Sequence, residues 1–231
     1  MTMEKIVCIV HYNTPELTAY TIRSLKKWTP DCKVVIFDNS DCMPWQPMGD
    51  EEVFDNTKGQ IINFDHWLEG FPHKMPSPRN NYGSAKHCLS VQWLLDYLAT
   101  PFVLIDSDVL IRCDISKLWD DRYLWVGEVG SNTGRFGISL FKVHPFLCYL
   151  NADMMRKKHI YYFNPRKMWD LTSKVPNRYY DTGAWLYEVT IKMRMRYKLI
   201  SLNRHCFHLR HGSWKETKWR EWVEEHRETW E

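Results

Sequence analysis

Three short, unbroken apolar runs, each ending on polar residues, constrain this chain more than any other feature. Residues 6–10 lead into His11, Tyr12 and Asn13, residues 34–37 lead into Asp38, and residues 102–105 lead into Asp106 and Asp108. Such runs mark strands buried on both faces, the signature of a mainly parallel sheet covered by helices. Between the first two runs, Thr14-Pro15 offers a helix N-cap with proline at the first helical position. Leu17, Thr21, Leu25 and Trp28 then keep helical spacing up to Thr29-Pro30. The opening is therefore a β-α-β unit, and the expected class is α/β with a Rossmann-like sheet.

Further along, residues 61–64 read as a third strand ending at Asp65, and residues 84–98 as a helix with Leu89, Trp93 and Tyr97 on one face. Residues 124–129, 138–143 and 197–202 read as strands. Residues 145–156 and 181–195 read as helices, and residues 215–230 as an amphipathic C-terminal helix. No repeat or linker divides the chain. A single continuous domain is expected, with residues 1–115 holding one ligand and residues 116–231 forming the other half of the cleft.

Composition narrows the classes. The 231 residues are 44% hydrophobic and 26% charged, with a net charge of +3, which gives no reason to expect a nucleic-acid partner. The seven cysteines are odd in number and form no Cys-x-x-Cys pair, so neither a disulfide framework nor a zinc ribbon fits. A reducing, cytoplasmic setting is expected, with no leader and no transmembrane segment. Arg194, Arg196, Lys198, Arg204 and Arg210 make a basic stretch, either a solvated face or a peripheral contact with the inner face of a membrane. Neither glycine-rich dinucleotide nor P-loop fingerprint occurs.

In open α/β sheets, ligands sit beyond the carboxyl ends of the strands, where His11, Tyr12, Asn13, Asp38, Asp106 and Asp108 fall. Two carboxylates one residue apart at a strand exit suit a hard divalent cation, Mg²⁺ or Mn²⁺, which bridges diphosphates. The plain alternative is a solvated turn. Asp38 reads as a carboxylate for a base or ribose, or as a turn cap. Asn81, Gly83 and Lys86 surround a helix start that would favour an anion. His205, His208 and His211 lie within seven residues, and one of them near the acids would be a metal ligand. Most of the 12 tryptophans belong to the core, and a few would line a sugar cleft.

These motifs together resemble the family 2-like GT-A glycosyltransferases, over about the first half of the chain. The first strand through Asn13, the second through Asp38-Asn39-Ser40-Asp41, Asn81-x-Gly83-x-Ala85-Lys86-His87 and the strand into Asp106-Ser107-Asp108 carry the resemblance. It implies the GT-A (nucleotide-diphospho-sugar transferase) fold and a nucleotide-sugar donor, with UDP favoured. Asp38 would meet the base, Asp106 and Ser107 the ribose side, and Asp106 and Asp108 the metal. The acceptor would be a hydroxyl of a glycan or glycolipid, and the outcome inversion. His211-Gly212-Ser213 resembles the late histidine that closes the donor site, giving His211 as a metal ligand. Asp181-Thr182-Gly183 lies where the family keeps its catalytic base, although the usual Glu-Asp pair is absent and Lys86-His87 replaces the usual Arg-Asn. Two other readings compete. A haloacid-dehalogenase-type phosphatase would use Asp106 as nucleophile and Asp108 as general acid, and an inactive sugar-nucleotide-binding protein would use neither.

Overall fold

The computed structural model describes residues 4–64, 78–133, 139–164, 182–209 and 216–231. Asp65, Asp181, Arg210 and His211 lie outside them, and for Asn81 only the backbone is described.

The expected opening is present: β1 (Ile6–His11), α1 (Pro15–Trp28) and β2 (Lys33–Asp38), with Thr14 at the N-cap position and proline at the first helical position. β3 (Glu52–Asp55) and α2 (Pro78–Leu98) follow, then β4 (Phe102–Asp106) and β5 (Val109–Ile111). The second half contains β6 (Trp125–Gly127), β7 (Val129–Thr133), β8 (Ser139–Val143), β9 (Leu147–Leu150) and α3 (Ala152–Lys157). It ends with α4 (Ala184–Lys192), β10 (Lys198–Leu199), β11 (Cys206–His208) and α5 (Glu216–Glu225). Seven strands form the central sheet in the order β10-β6-β9-β4-β1-β2-β3. Its pairs are parallel except at β9, which runs antiparallel to both β4 and β6.

Alternation along the strands divides the core between the two faces. Cys8, Val10, Val35, Phe37, Phe102 and Leu104 pack with Cys88, Val91, Leu94 and Leu95 of α2. Val7, Ile9, Val34, Ile36, Val103 and Ile105 pack with Ile22 and Leu25 of α1. Residues buried on both sides explain why these strands read as continuous apolar runs. On α1, Leu17 meets Trp219 and Val223 of α5, with Tyr20 and Trp230 against the same cluster.

Two expectations are corrected. The third strand is the half-polar segment Glu52–Asp55, not residues 61–64. It is an edge strand, so burial does not impose an apolar run. Ile61 and Ile62 instead donate their N–H groups to Asn56 Oδ1 at 3.0 and 2.7 Å, which curls the chain away from the sheet. The helix expected over residues 145–156 is split: the first half holds a strand and only the second half is helical. Residues 147–150 are fully buried as β9, and the helix begins only after Asn151, whose side chain accepts the Met154 N–H at 2.9 Å. A short apolar run between turn residues carries no period that separates strand from helix. Boundaries also shift: residues 124–129 divide into β6 and β7, and residues 197–202 retain only the two-residue β10. α2 begins at Pro78 and α4 at Ala184.

Candidate metal centre and donor pocket

The strand register brings the polar ends together. Val10 pairs with Asp106 and His11 with Asp38, so the exits of β4, β1 and β2 lie side by side. Beyond Asp106 the chain makes a tight turn into β5, and hydroxyls buried on α1 hold that turn. Thr21 Oγ1 donates to the Ser107 carbonyl at 2.9 Å, Thr14 Oγ1 lies 3.3 Å from Ser107 Oγ, and Ser24 Oγ accepts the Ile111 N–H at 2.9 Å. Thr21 and Ser24 are fully buried, a burial that hydrogen bonding makes tolerable.

β11 pairs antiparallel with β5, setting His208 opposite Val109, and the Leu209 N–H continues the ladder to the Asp108 carbonyl at 3.1 Å. His208 Nε2 thereby sits 3.3 Å from Asp108 Oδ1, and its ring stacks on Phe146 at 4.1 Å between centroids. Asp106, Asp108 and His208 offer ligand atoms within 4.8 Å of one another. On the other side of Asp106, His87 Nε2 lies 3.0 Å from its Oδ1. Burial works to raise the Asp106 carboxyl, but the His87 hydrogen bond and the charges of His87, His208 and Lys142 outweigh it and hold the group below its ordinary range. Asp106 is therefore a carboxylate at neutral pH. Two carboxylates and one imidazole form a group able to hold a metal ion.

The neighbouring strand ends and the 38–45 loop are organised by residues expected to touch a ligand. Asn13, at φ 52°, accepts the N–H groups of Asp41, Cys42 and Met43 on Oδ1 at 3.0–3.1 Å. Asp38 is buried, and its two oxygens accept the Ser40 N–H at 2.9 Å and the Trp45 N–H at 2.7 Å. His11 is also fully buried: Nδ1 meets Thr18 Oγ1 at 2.8 Å and Nε2 meets the Met43 carbonyl at 3.3 Å. Burial lowers the His11 pKa, against Asp38 and the Met43 carbonyl, so the ring is neutral. Nε2–H then donates to the carbonyl, and Nδ1 accepts from Thr18. The His11 ring thus seats the loop at Met43.

Tyr12 stands exposed at the mouth, its hydroxyl donating to Asp41 Oδ2. Lys86 Nζ lies 3.5 Å from Asp41 Oδ1 and over the rings of Tyr12 and Phe64 at 5.5 and 5.3 Å. Gly83 is exposed on α2 one turn before His87. Asp38→Ala is expected to lower stability by about 2–3 kcal/mol by leaving two loop N–H groups unpaired, with a smaller loss for Asp38→Asn, which keeps one acceptor. Equal melting temperatures for wild type and Asp38→Ala would rule out this role.

The sequence alone singles out neither His208 nor His87. His208 was one of three candidates, and His211, placed there from resemblance, lies outside the described residues. For His87 a signal existed: it is the residue after Lys86, in the motif that carried the resemblance.

A mainly parallel sheet with one antiparallel insertion, and an Asp-x-Asp turn beyond its central strand, defines the GT-A class of α/β fold. Solved structures agree. The galactosyltransferase LgtC, in complex with donor and acceptor sugar analogs, superposes with a TM-score of 0.54 at 13% identity, over 85% of this chain and 73% of that one. The bifunctional glycosyltransferase WbbM gives 0.54 at 11% identity, over 86% and 39%. Mouse xyloside xylosyltransferase 1 gives 0.53 at 8% identity, over 87% and 86%. At such identities the likeness is one of fold, and it does not extend to family 2 in particular. No protein-family model matches the sequence, and no curated protein matches it. Among the described residues, no helix is long and apolar enough to cross a membrane.

Proposed function

We propose that this chain is a metal-dependent glycosyltransferase that moves a sugar from a nucleoside-diphosphate donor, UDP favoured, to a hydroxyl of a glycan or glycolipid. The convergence of Asp106, Asp108 and His208 at the carboxyl end of β4 carries this reading. These three residues would hold Mn²⁺ or Mg²⁺, the imidazole favouring Mn²⁺. The ion, when bound, neutralises the charge that develops on a leaving diphosphate. Tyr12 offers a ring face to the base, with Asn13 and Asp38 holding the loop beside it. Lys86 would exchange Asp41 for a phosphate, and Asn81, Gly83 and Ser107 would border the donor. Residues 1–115 would then bind the nucleotide, and residues 116–231 the acceptor. The basic stretch around Arg194, Arg196 and Lys198 would rest on a membrane that presents a glycolipid acceptor. A cytoplasmic location fits these roles.

The phosphatase alternative is disfavoured because its Asp-x-Asp belongs on a first strand, whereas here β1, α1, β2, β3 and α2 precede it. An inactive binding protein would show nucleotide binding without turnover.

Inversion requires a base that deprotonates the acceptor hydroxyl, and Asp181 is assigned that role. Its neighbour Gly183 lies against Val143, one residue from Lys142, whose charge reaches Asp106. Asp181→Asn should lose about 100-fold or more in turnover with donor binding intact. Near-normal turnover would remove the base assignment. The anomeric configuration of the product, read by NMR, tests inversion directly. The broader test is a thermal-shift screen of nucleoside diphosphates with Mn²⁺, because a ligand bound only by the native state raises stability. UDP should give the largest shift, and no shift with any nucleotide would remove the donor reading.

A further inference from the structure

We infer that His87 is a positioning residue for the metal centre: through Nε2–H it holds the Asp106 carboxylate in the orientation that presents it, with Asp108 and His208, to a cation. The inference rests on the metal reading above and deepens it. His87 Nε2 lies 3.0 Å from Asp106 Oδ1, and both side chains are largely covered. A carboxylate only accepts hydrogen bonds, so the proton of this contact belongs to Nε2. His87 Nε2 is engaged in this hydrogen bond and His87 lies outside the convergent ligand group, whereas His208 Nε2, 3.3 Å from Asp108 Oδ1, lies within it. His87 Nδ1 is buried and makes no hydrogen bond among the described residues. One nitrogen is committed to Asp106 and the other faces away from solvent, so the ring serves the acid rather than the ion.

The two histidines at the centre thus have different tasks. His208, on β11, meets Asp108 from the strand side and belongs to the ligand group. His87, on α2, approaches Asp106 from the helix side and lies outside that group. Without His87, the Asp106 carboxylate would turn about its side-chain torsions, and a cation would have to order it on binding. Hydrogen bonds of this kind to ligating groups typically change metal affinity by 10- to 100-fold.

The test is Mn²⁺ titration of the full chain, with free Mn²⁺ read by electron paramagnetic resonance. His87→Phe keeps a ring without the donor, His87→Leu removes both ring and donor, and His87→Gln restores an N–H near the position of Nε2. Asp108→Ala reports the ligand set itself. Expected are an Mn²⁺ affinity about 10- to 100-fold weaker in His87→Phe and His87→Leu, recovery to within about threefold of wild type in His87→Gln, and unchanged metal-free UDP binding. Wild-type affinity in the Phe or Leu variant, with Asp108→Ala impaired, would overturn the positioning role and leave the metal reading standing. So would a His87→Gln variant as weak as Phe. If the wild-type chain binds no Mn²⁺, the metal reading falls and this inference falls with it.

Discussion

Asp108→Ala is expected to reduce sugar transfer by about 1000-fold or more, because a Lewis-acidic cation contributes several kcal/mol of charge stabilisation to such reactions. The side chain is nearly buried and its Oδ1 lies 3.3 Å from His208 Nε2. The backbone of Asp108 does separate work: its carbonyl accepts the Leu209 N–H and continues the β11–β5 ladder. Alanine leaves that ladder intact. The variant should therefore melt no lower than the metal-free wild type, while losing Mn²⁺ binding and turnover together. Product formation is to be followed with Mn²⁺ present, and circular dichroism checks the fold. Full turnover in Asp108→Ala, or in wild type under excess EDTA, would dispose of the metal-dependent mechanism.

Gly183→Ala should cost about 3–4 kcal/mol of stability, the sum of left-handed backbone strain and overpacking. Gly183 has φ 80°, and a Cβ built there would stand 2.1 Å from the Val143 carbonyl oxygen. The obstacle is backbone, so no rotamer change relieves it. The same contact carries a hydrogen bond from the Val143 N–H to the Gly183 carbonyl at 3.2 Å, which ties the start of α4 to β8. At this chain length the loss corresponds to a melting-temperature drop of roughly 6–16 °C. Gly59 supplies the control. Its φ is 66°, but an added Cβ would meet nothing closer than 3.6 Å, so Gly59→Ala should cost only about 1–2 kcal/mol from the backbone. If the two substitutions prove equal, the close approach at Gly183 contributes nothing.

The fold class and the two acids were legible in the sequence, because the features that announce them are local. β1, β2 and β4 are buried on both faces, so each had to be a continuous apolar run, and a residue directly after such a run lies at the binding edge of a parallel sheet. Asp106 and Asp108 were read correctly as neighbours of a strand exit for that reason. Asp38 and His11 were read correctly as strand-end residues, but their orientation was not legible. Their side chains turn inward to backbone groups at positions 40, 43 and 45, and only the folded loop brings those groups within reach.

Tertiary structure decided the rest where the signal was nonlocal or ambiguous. β3 is an edge strand, so half its residues are free to be polar. β9 is an apolar run too short to reveal a period, and it became a strand because β4 and β6 flank it. That His208 approaches the acids and His205 does not was likewise out of reach of the sequence. It rests on a register between segments about a hundred residues apart. Pairing His208 with Val109 aims that ring at Asp108, whereas a slip of one residue would turn it to the opposite face. Local composition determined where the acids stand, and long-range strand pairing brought His208 to them.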